Sequence, residues 1–302
     1  MCFELPVPYF NFDVPLEDGT EIHVRRHGNR KGPCLFISHG NGFAINGYFP
    51  FWRHLTSDFD LLLFDFRNHG QNSPTAFATQ NYAQLTRDLE CILQNVCQLI
   101  DHKPLIGVFH SMSARTAMKH ALHFGWHWDA LVLFDPPNVP PEGHRLYGTM
   151  VESGSRLANW ARRRRRHFNA VEELTFEYLQ SRATARWRRG AHELMAKAVL
   201  RPKPGSESFE LACDPEKEAA IYEEESTLNL WPHANQFGGP VKLIGCDPNV
   251  RGAATGLANQ ALAVEGDYNY GFVEETGHLL QIEKPEQCVA LTMQFLEQYG
   301  FA

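Results

Sequence analysis

Short segments dominated by apolar side chains recur along the chain, separated by longer segments with helical periodicity. Cys34-Leu35-Phe36-Ile37 and Leu61-Leu62-Leu63-Phe64 are such runs, as are Leu105 to Val108, Ala130 to Phe134 and Val241 to Ile244. Runs of four to six residues with little alternation are expected of parallel strands covered on both faces. Glu21-Ile22-His23-Val24 instead alternates after an Asp18-Gly19 turn, as a half-exposed early strand does. Between the runs, Tyr82 to Leu99 places Leu85, Leu89, Ile92, Leu93 and Val96 on one helical face. A last helix is predicted from about Pro285, a favourable first-turn residue, to about Tyr299. Strand and helix in alternation predict an α/β fold with a doubly wound, mostly parallel sheet.

The alternation stops between Phe134 and Val241. Asp135-Pro136-Pro137-Asn138-Val139-Pro140-Pro141 opens this interval as a stiff connector, and Gly238-Gly239-Pro240 closes it. The residues between are charged and read as helices without a convincing strand. The expectation is a core of residues 1–137 and 238–302, with a helical cap at 138–237 inserted after the sixth strand. Ligands of open α/β sheets bind at the carboxyl edge of the strands, so an insertion there is expected to act as a lid.

Composition narrows the classes. A chain of 302 residues can form one large α/β core with an insertion, and no run of about 18 apolar residues predicts a membrane span. Met1-Cys2-Phe3-Glu4-Leu5-Pro6 does not read as a secretory signal. The seven scattered cysteines lack a C-x-x-C pair, which fits free thiols in a reducing cytoplasm. A net charge of −7 argues against a chain built to bind nucleic acid.

The candidate chemistry centres on Phe109-His110-Ser111-Met112-Ser113, where an apolar run ends and a helix-forming segment begins. A strand–turn–helix "nucleophile elbow" lifts a serine above the sheet edge, and its usual form, G-x-S-x-G, keeps the flanking positions small. Ser113 is small, but Phe109 stands where the first glycine belongs. Either the turn opens around this ring or the ring packs beneath it. A serine hydroxyl needs a base, and the base needs an orienting group. His278, in the Gly277-His278 loop before the last helix, is the candidate base, since such a loop reaches over the sheet edge.

Ser38-His39-Gly40-Asn41-Gly42-Phe43, Asp65-Phe66-Arg67-Asn68-His69-Gly70, the serine elbow and Gly277-His278 before Glu283-Lys284-Pro285 occur in an order that resembles the α/β-hydrolase superfamily. The likeness is to its capped esterase and lipase-like members. It implies the α/β-hydrolase fold and a triad running serine, acid, histidine along the chain. It also implies an oxyanion hole made by the N–H groups of Met112 and Asn41. Superfamily members usually carry the acid in the loop of Gly245-Cys246-Asp247, commonly three residues after the glycine; Asp247 lies two after Gly245 and is the expected acid. Asp135, at the end of the sixth strand, is the alternative, because some relatives take their acid from there. Phe43, Tyr48 and Phe49 are expected to shape an acyl or aromatic pocket. His69-Gly70 is expected to be a structural turn.

The implied activity is hydrolysis of a carboxylic ester of a small or medium-sized substrate through an acyl-enzyme. The same triad acting on a thioester, lactone or carbon–carbon bond, or in acyl transfer, is the alternative. A non-catalytic binding protein on this scaffold is a third reading. Ten arginines between Arg156 and Arg189, five of them consecutive at Arg162 to Arg166, form a solvated face or supply one or two cations to hold an anionic substrate. His120, His123 and His127 have no ligand partner in register, and no phosphate-binding glycine motif occurs, so neither a metal nor a cofactor is expected.

Overall fold

The computed structural model describes residues 3–100, 102–225 and 228–302, so Cys2 lies outside the described residues. In chain order the elements are β1 (Phe10–Pro15), β2 (Glu21–Gly28), β3 (Cys34–Ser38), α1 (Phe49–Trp52), β4 (Asp60–Phe64), α2 (Tyr82–Cys97), β5 (Leu105–His110), α3 (Met112–Phe124) and β6 (Ala130–Phe134). The insertion follows with α4 (Tyr147–Arg162), β7 (His167–Phe168), α5 (Val171–Gln180), α6 (Ala191–Val199), β8 (Leu200–Pro202), β9 (Phe209–Leu211) and α7 (Pro215–Glu223). The chain ends with β10 (Val241–Cys246), α8 (Ala254–Glu265), β11 (Asn269–Val273), α9 (Leu280–Glu283) and α10 (Pro285–Gln298).

Eight strands form one sheet in the order β1-β2-β4-β3-β5-β6-β10-β11. β2 runs antiparallel to both its neighbours, and every pairing from β4 to β11 is parallel. The uninterrupted burial of β3, β4, β5, β6 and β10 explains why their sequences do not alternate. Cys34 and Phe36 join a core with α2 and α3, whereas Leu35 and Ile37 join one with α1 and α10. Helices therefore cover both faces, as the alternation predicts.

Two elements differ from the sequence reading. β1, which the sequence reading did not identify, pairs with β2 as an edge strand. The insertion is not wholly helical, because β7, β9 and β8 form a small antiparallel sheet. Strands of two or three residues are too short to leave a period in the sequence. Within the insertion α4 packs on α7 and α5 on α6, and Phe168, Leu174 and Trp187 extend the core on the α10 face of the large sheet.

Candidate active site

β5 delivers Ser111 into a turn with φ 54° and ψ −114°, a backbone conformation rarely held by a residue with a side chain. Two sets of hydrogen bonds hold it there. Ser111 N–H donates to the Phe134 carbonyl on β6 (2.9 Å), and the Ser111 carbonyl accepts from Arg115 N–H (2.9 Å). Ser113 Oγ donates to the His110 carbonyl and accepts from His110 N–H, both at 2.9 Å, which ties the turn from its helix side. Phe109 packs beneath the elbow, fully buried and edge-to-face with Phe36 and Trp128. Gly107 makes this possible: a Cβ there would stand 2.6 Å from Phe109 Cε2 and 2.5 Å from Leu131 Cδ2. The small residue needed by the elbow has moved two positions upstream, to the next residue on the same face of the strand.

His278 lies on the loop between β11 and α9. Its Nε2 is 2.8 Å from Ser111 Oγ, and its Nδ1 is 2.6 Å from Asp135 Oδ2. A carboxylate only accepts, so the ring proton sits on Nδ1 and Nε2 is free to accept from the serine hydroxyl. Asp135 is fully buried at the end of β6, with φ 44°. Its Oδ1 accepts from Cys246 N–H (3.1 Å) and Asn259 Nδ2 (2.9 Å), and its Oδ2 also accepts from the Thr255 hydroxyl (2.5 Å). Burial alone would push this carboxyl up; the donors from His278, Thr255 and Cys246 outweigh it and hold the group below the usual carboxylate range. This carboxylate is thus ionised in place.

Asp247, the expected acid, does not meet His278. Its carboxylate accepts from Asn249 N–H (2.8 Å), Asn249 Nδ2 (3.1 Å) and Glu275 N–H (2.8 Å). These donors hold its carboxyl below the usual range. It closes its own Asp-Pro-Asn turn and fastens the loop that carries His278. Strand order explains why Asp135 rather than Asp247 meets the ring. β6 is the direct neighbour of β5, with Phe134 opposite His110, while β10 is one strand further away. Glu283 supports the same loop, accepting from Gly277 N–H at 2.7 Å.

The loop after β3 presses against the elbow. A Cβ on Gly40 would stand 2.8 Å from His110 Nδ1 and 3.2 Å from Ser111 Cβ. Gly40 N–H donates to the Tyr48 hydroxyl (3.1 Å) and Gly42 N–H to His69 Nε2 (3.1 Å), so the two glycines around Asn41 are anchored by side chains. Asn41 and Met112 line one cavity with Ser111 and His278. His69 Nδ1–H donates to the Arg67 carbonyl, so the ring must stay neutral to accept at Nε2. Burial achieves this by pulling its pKa down to about 3. Burial, and then the nearby His278, also brings His110 down to about 3. Neutral His110 donates from Nε2 to the His278 carbonyl (2.8 Å) and accepts at Nδ1 from Tyr48 (2.8 Å). One buried network therefore joins the His278 loop to the Gly40 loop.

The cavity at Ser111 has a volume of about 390 Å³. Its apolar wall includes Val139, Met150, Leu157, Ile221 and Leu228, mostly from the insertion, and Tyr82, Arg115 and Glu224 add polar groups. None of the three expected pocket aromatics lines it. Tyr48 is buried in the hydrogen-bond network just described, and Phe49 packs edge-to-face on Phe3 and Trp52. Phe43 points into a second cavity of about 380 Å³ beside Trp187 and Tyr178. Aromatic residues next to the Gly40 loop turn inward because β3 and α1 bury that side.

The arginine run does not line the Ser111 cavity either. Arg162 pairs with Glu223, Arg165 with Glu173 and Glu177, and Arg166 with Asp214. Arg164 is largely buried against Glu218, whose carboxylate is 1% exposed. Four of the five arginines of the run thus meet acids, three on a solvated face and one in a buried pair. The arginine that does line the cavity is Arg115, four residues after Ser111 on α3. That helical spacing was legible in the sequence, although its lack of an acidic partner was not.

A family model described as the alpha/beta hydrolase family matches residues 34–291. Among solved structures, E-2-(acetamidomethylene)succinate hydrolase superposes with a TM-score of 0.76 at 16% identity, covering 95% of this chain and 99% of that one. An alpha/beta hydrolase from Novosphingobium aromaticivorans gives 0.73 at 18% identity, covering 97% and 99%. The thioesterase domain from the curacin biosynthetic pathway gives 0.71 at 15% identity, covering 94% and 99%. No curated protein sequence matches the chain. With this fold and a match over most of its length, the chain belongs to the alpha/beta hydrolase family and is an enzyme of the hydrolase class.

Proposed function

We propose that the chain is a serine hydrolase that cleaves a carboxylic ester of a small or medium-sized substrate through an acyl-enzyme. The observation that carries this reading is the continuous relay Asp135–His278–Ser111 opening on a cavity. Ser111 Oγ attacks the ester carbonyl while its proton passes to His278 Nε2, and the Asp135 carboxylate stabilises the imidazolium. Asn41 and Met112 N–H groups stabilise the oxyanion, a contribution of about 10²–10³ in rate for one donor. Collapse expels the alcohol, which takes the proton from His278. Water then attacks the acyl carbonyl, giving a proton to His278 Nε2, and collapse breaks the Ser111 Oγ–acyl bond, Oγ taking that proton back as the carboxylic acid leaves. Residues 138–237 act as the cap, since α4 and α7 supply much of the cavity wall.

The six described cysteines are free thiols, four of them buried, which supports a reducing cytoplasm as the working compartment. Among the described residues no helix is long and apolar enough to cross a membrane. The test is a panel of 4-nitrophenyl esters of increasing chain length with fluorophosphonate labelling. Hydrolysis and labelling that both disappear in Ser111→Ala support the reading. Intact protein that neither labels nor turns over any ester contradicts it, and turnover of thioesters or lactones alone moves the reading to that chemistry.

A further inference from the structure

We propose that the cavity at Ser111 takes an ester bearing a carboxylate, and that the Arg115 guanidinium holds this carboxylate; the proposal rests on the serine-hydrolase reading of the same cavity. Arg115 is four residues beyond Ser111, and side chains at that spacing on a helix are neighbours, with Cβ atoms about 5–6 Å apart. It is 5% exposed and lines the cavity. Its partners are weak for a buried cation. Nη1 donates to the Tyr82 hydroxyl at 3.4 Å, the guanidinium lies 5.3 Å from the Tyr82 ring centroid, and Nε is buried with no acceptor.

The other buried arginines show what is missing. Arg25 meets Asp65, Arg67 meets Asp88, and Arg164 meets Glu218. Among the described residues Arg115 has no carboxylate within ion-pair distance. A guanidinium cannot shed its proton, and a buried charge is retained at a cost unless an anion matches it. The anion is absent from the fold, so it comes with the ligand.

The remaining charges select its kind. Glu223, Glu224 and Glu225 also line this cavity. Glu223 is held by Arg162 and Glu224 accepts from Tyr82 N–H, while Glu225 faces solvent. Three carboxylates disfavour a multiply charged ligand such as a phosphate ester. A single carboxylate matches the planar fork of Arg115 in charge and geometry. The apolar wall suits a hydrocarbon spacer between this carboxylate and the ester.

Two matched pairs test the proposal in the intact protein: mono-4-nitrophenyl adipate against 4-nitrophenyl hexanoate, and 3-acetoxybenzoate against phenyl acetate. The acid is expected to exceed the neutral ester in kcat/KM by tenfold or more in at least one pair. That ratio is expected to collapse toward one in Arg115→Met and to survive in part in Arg115→Lys. Binding separates this idea from the catalytic one. In Ser111→Ala, monomethyl adipate is expected to bind at least tenfold tighter than dimethyl adipate, and the difference to vanish in Ser111→Ala/Arg115→Met. A binding preference that depends on Arg115, without any ester turnover by the wild type, would uphold the carboxylate site and remove the hydrolase reading. Equal binding of the two adipates together with no rate preference in either pair would overturn the proposal. If Arg115→Met fails to fold, the wild-type and Ser111→Ala comparisons still decide it.

Discussion

Replacing Asp135 by asparagine changes one oxygen to an amide and should disable the relay while leaving its shape intact. The site has four donors around this carboxylate: Cys246 N–H and Asn259 Nδ2 at Oδ1, and Thr255 Oγ1 and His278 Nδ1 at Oδ2. Asparagine keeps one acceptor oxygen, which the two buried donors at the Oδ1 position demand. Its NH₂ then faces His278 Nδ1 and can only donate. The ring answers by moving its proton to Nε2, where it points at Ser111 and cannot accept the hydroxyl proton. The same change of tautomer in a serine protease triad costs about 10⁴ in kcat. A loss of about 10³–10⁴ in kcat/KM is expected here, equivalent to roughly 4–5.5 kcal/mol of transition-state stabilisation. Asp247→Asn loosens the His278 loop but leaves the relay whole, so its loss should stay below about tenfold, with a lower Tm. The assay is 4-nitrophenyl ester hydrolysis by both variants at pH 7–8, with circular dichroism to check folding. A loss below tenfold in Asp135→Asn, or a larger loss in Asp247→Asn, would refute the assignment of the acid.

Three further outcomes follow from the packing and the charges. Gly107→Ala should destabilise by about 1–3 kcal/mol through overpacking against Phe109 and Leu131, and Phe109→Leu in the same chain should restore part of it; denaturant titration showing additive losses would contradict this account of the elbow. His69 and His110 are held far below the ordinary histidine value, near 3, so the unfolded chain binds more protons than the folded one between about pH 3 and 6.5. Stability conferred by their neutrality is therefore complete above pH 6.5 and is lost as pH falls toward 3, by up to about 1.4 kcal/mol per pH unit for each ring; the slope of unfolding free energy against pH should be shallower in His69→Gln, and an unchanged slope would contradict the burial argument. Arg164→Met strands the buried Glu218 carboxylate and should cost about 3–5 kcal/mol, whereas Arg162→Met, at an exposed pair, should leave the midpoint nearly unchanged; equal midpoints of chemical denaturation would count against the difference.

What could be read from the sequence follows from which interactions are local. The buried strands announced themselves as apolar runs, and the Ser111 turn and the Gly277-His278 loop carry their geometry in adjacent residues. The carboxylate that meets His278 did not, because Asp135 and Asp247 both end strands in Asp-Pro steps and are told apart by which strand lies beside β5. Phe43, Tyr48 and Phe49 were misplaced for a related reason: proximity in sequence to the Gly40 loop does not say whether an aromatic faces the cavity or the core. Phe109 departs from the elbow pattern, and the space for its ring comes from Gly107, two residues away on the same strand face. The short strands β7, β8 and β9 lie below the length at which periodicity is visible. Only the fold shows that the buried Arg164 meets an acid and that, among the described residues, the buried Arg115 does not.

The central claim is that Ser111 carries the acyl group. Mixing the protein with a 4-nitrophenyl ester, quenching in acid within milliseconds to seconds and weighing the intact chain tests it directly. The account predicts a transient gain of one acyl mass that maps to the peptide containing Ser111, accumulates in step with a burst of 4-nitrophenol and is absent from Ser111→Ala. Turnover without an adduct in the wild type, at equal rate in Ser111→Ala, or with the acyl group on another residue, would contradict it.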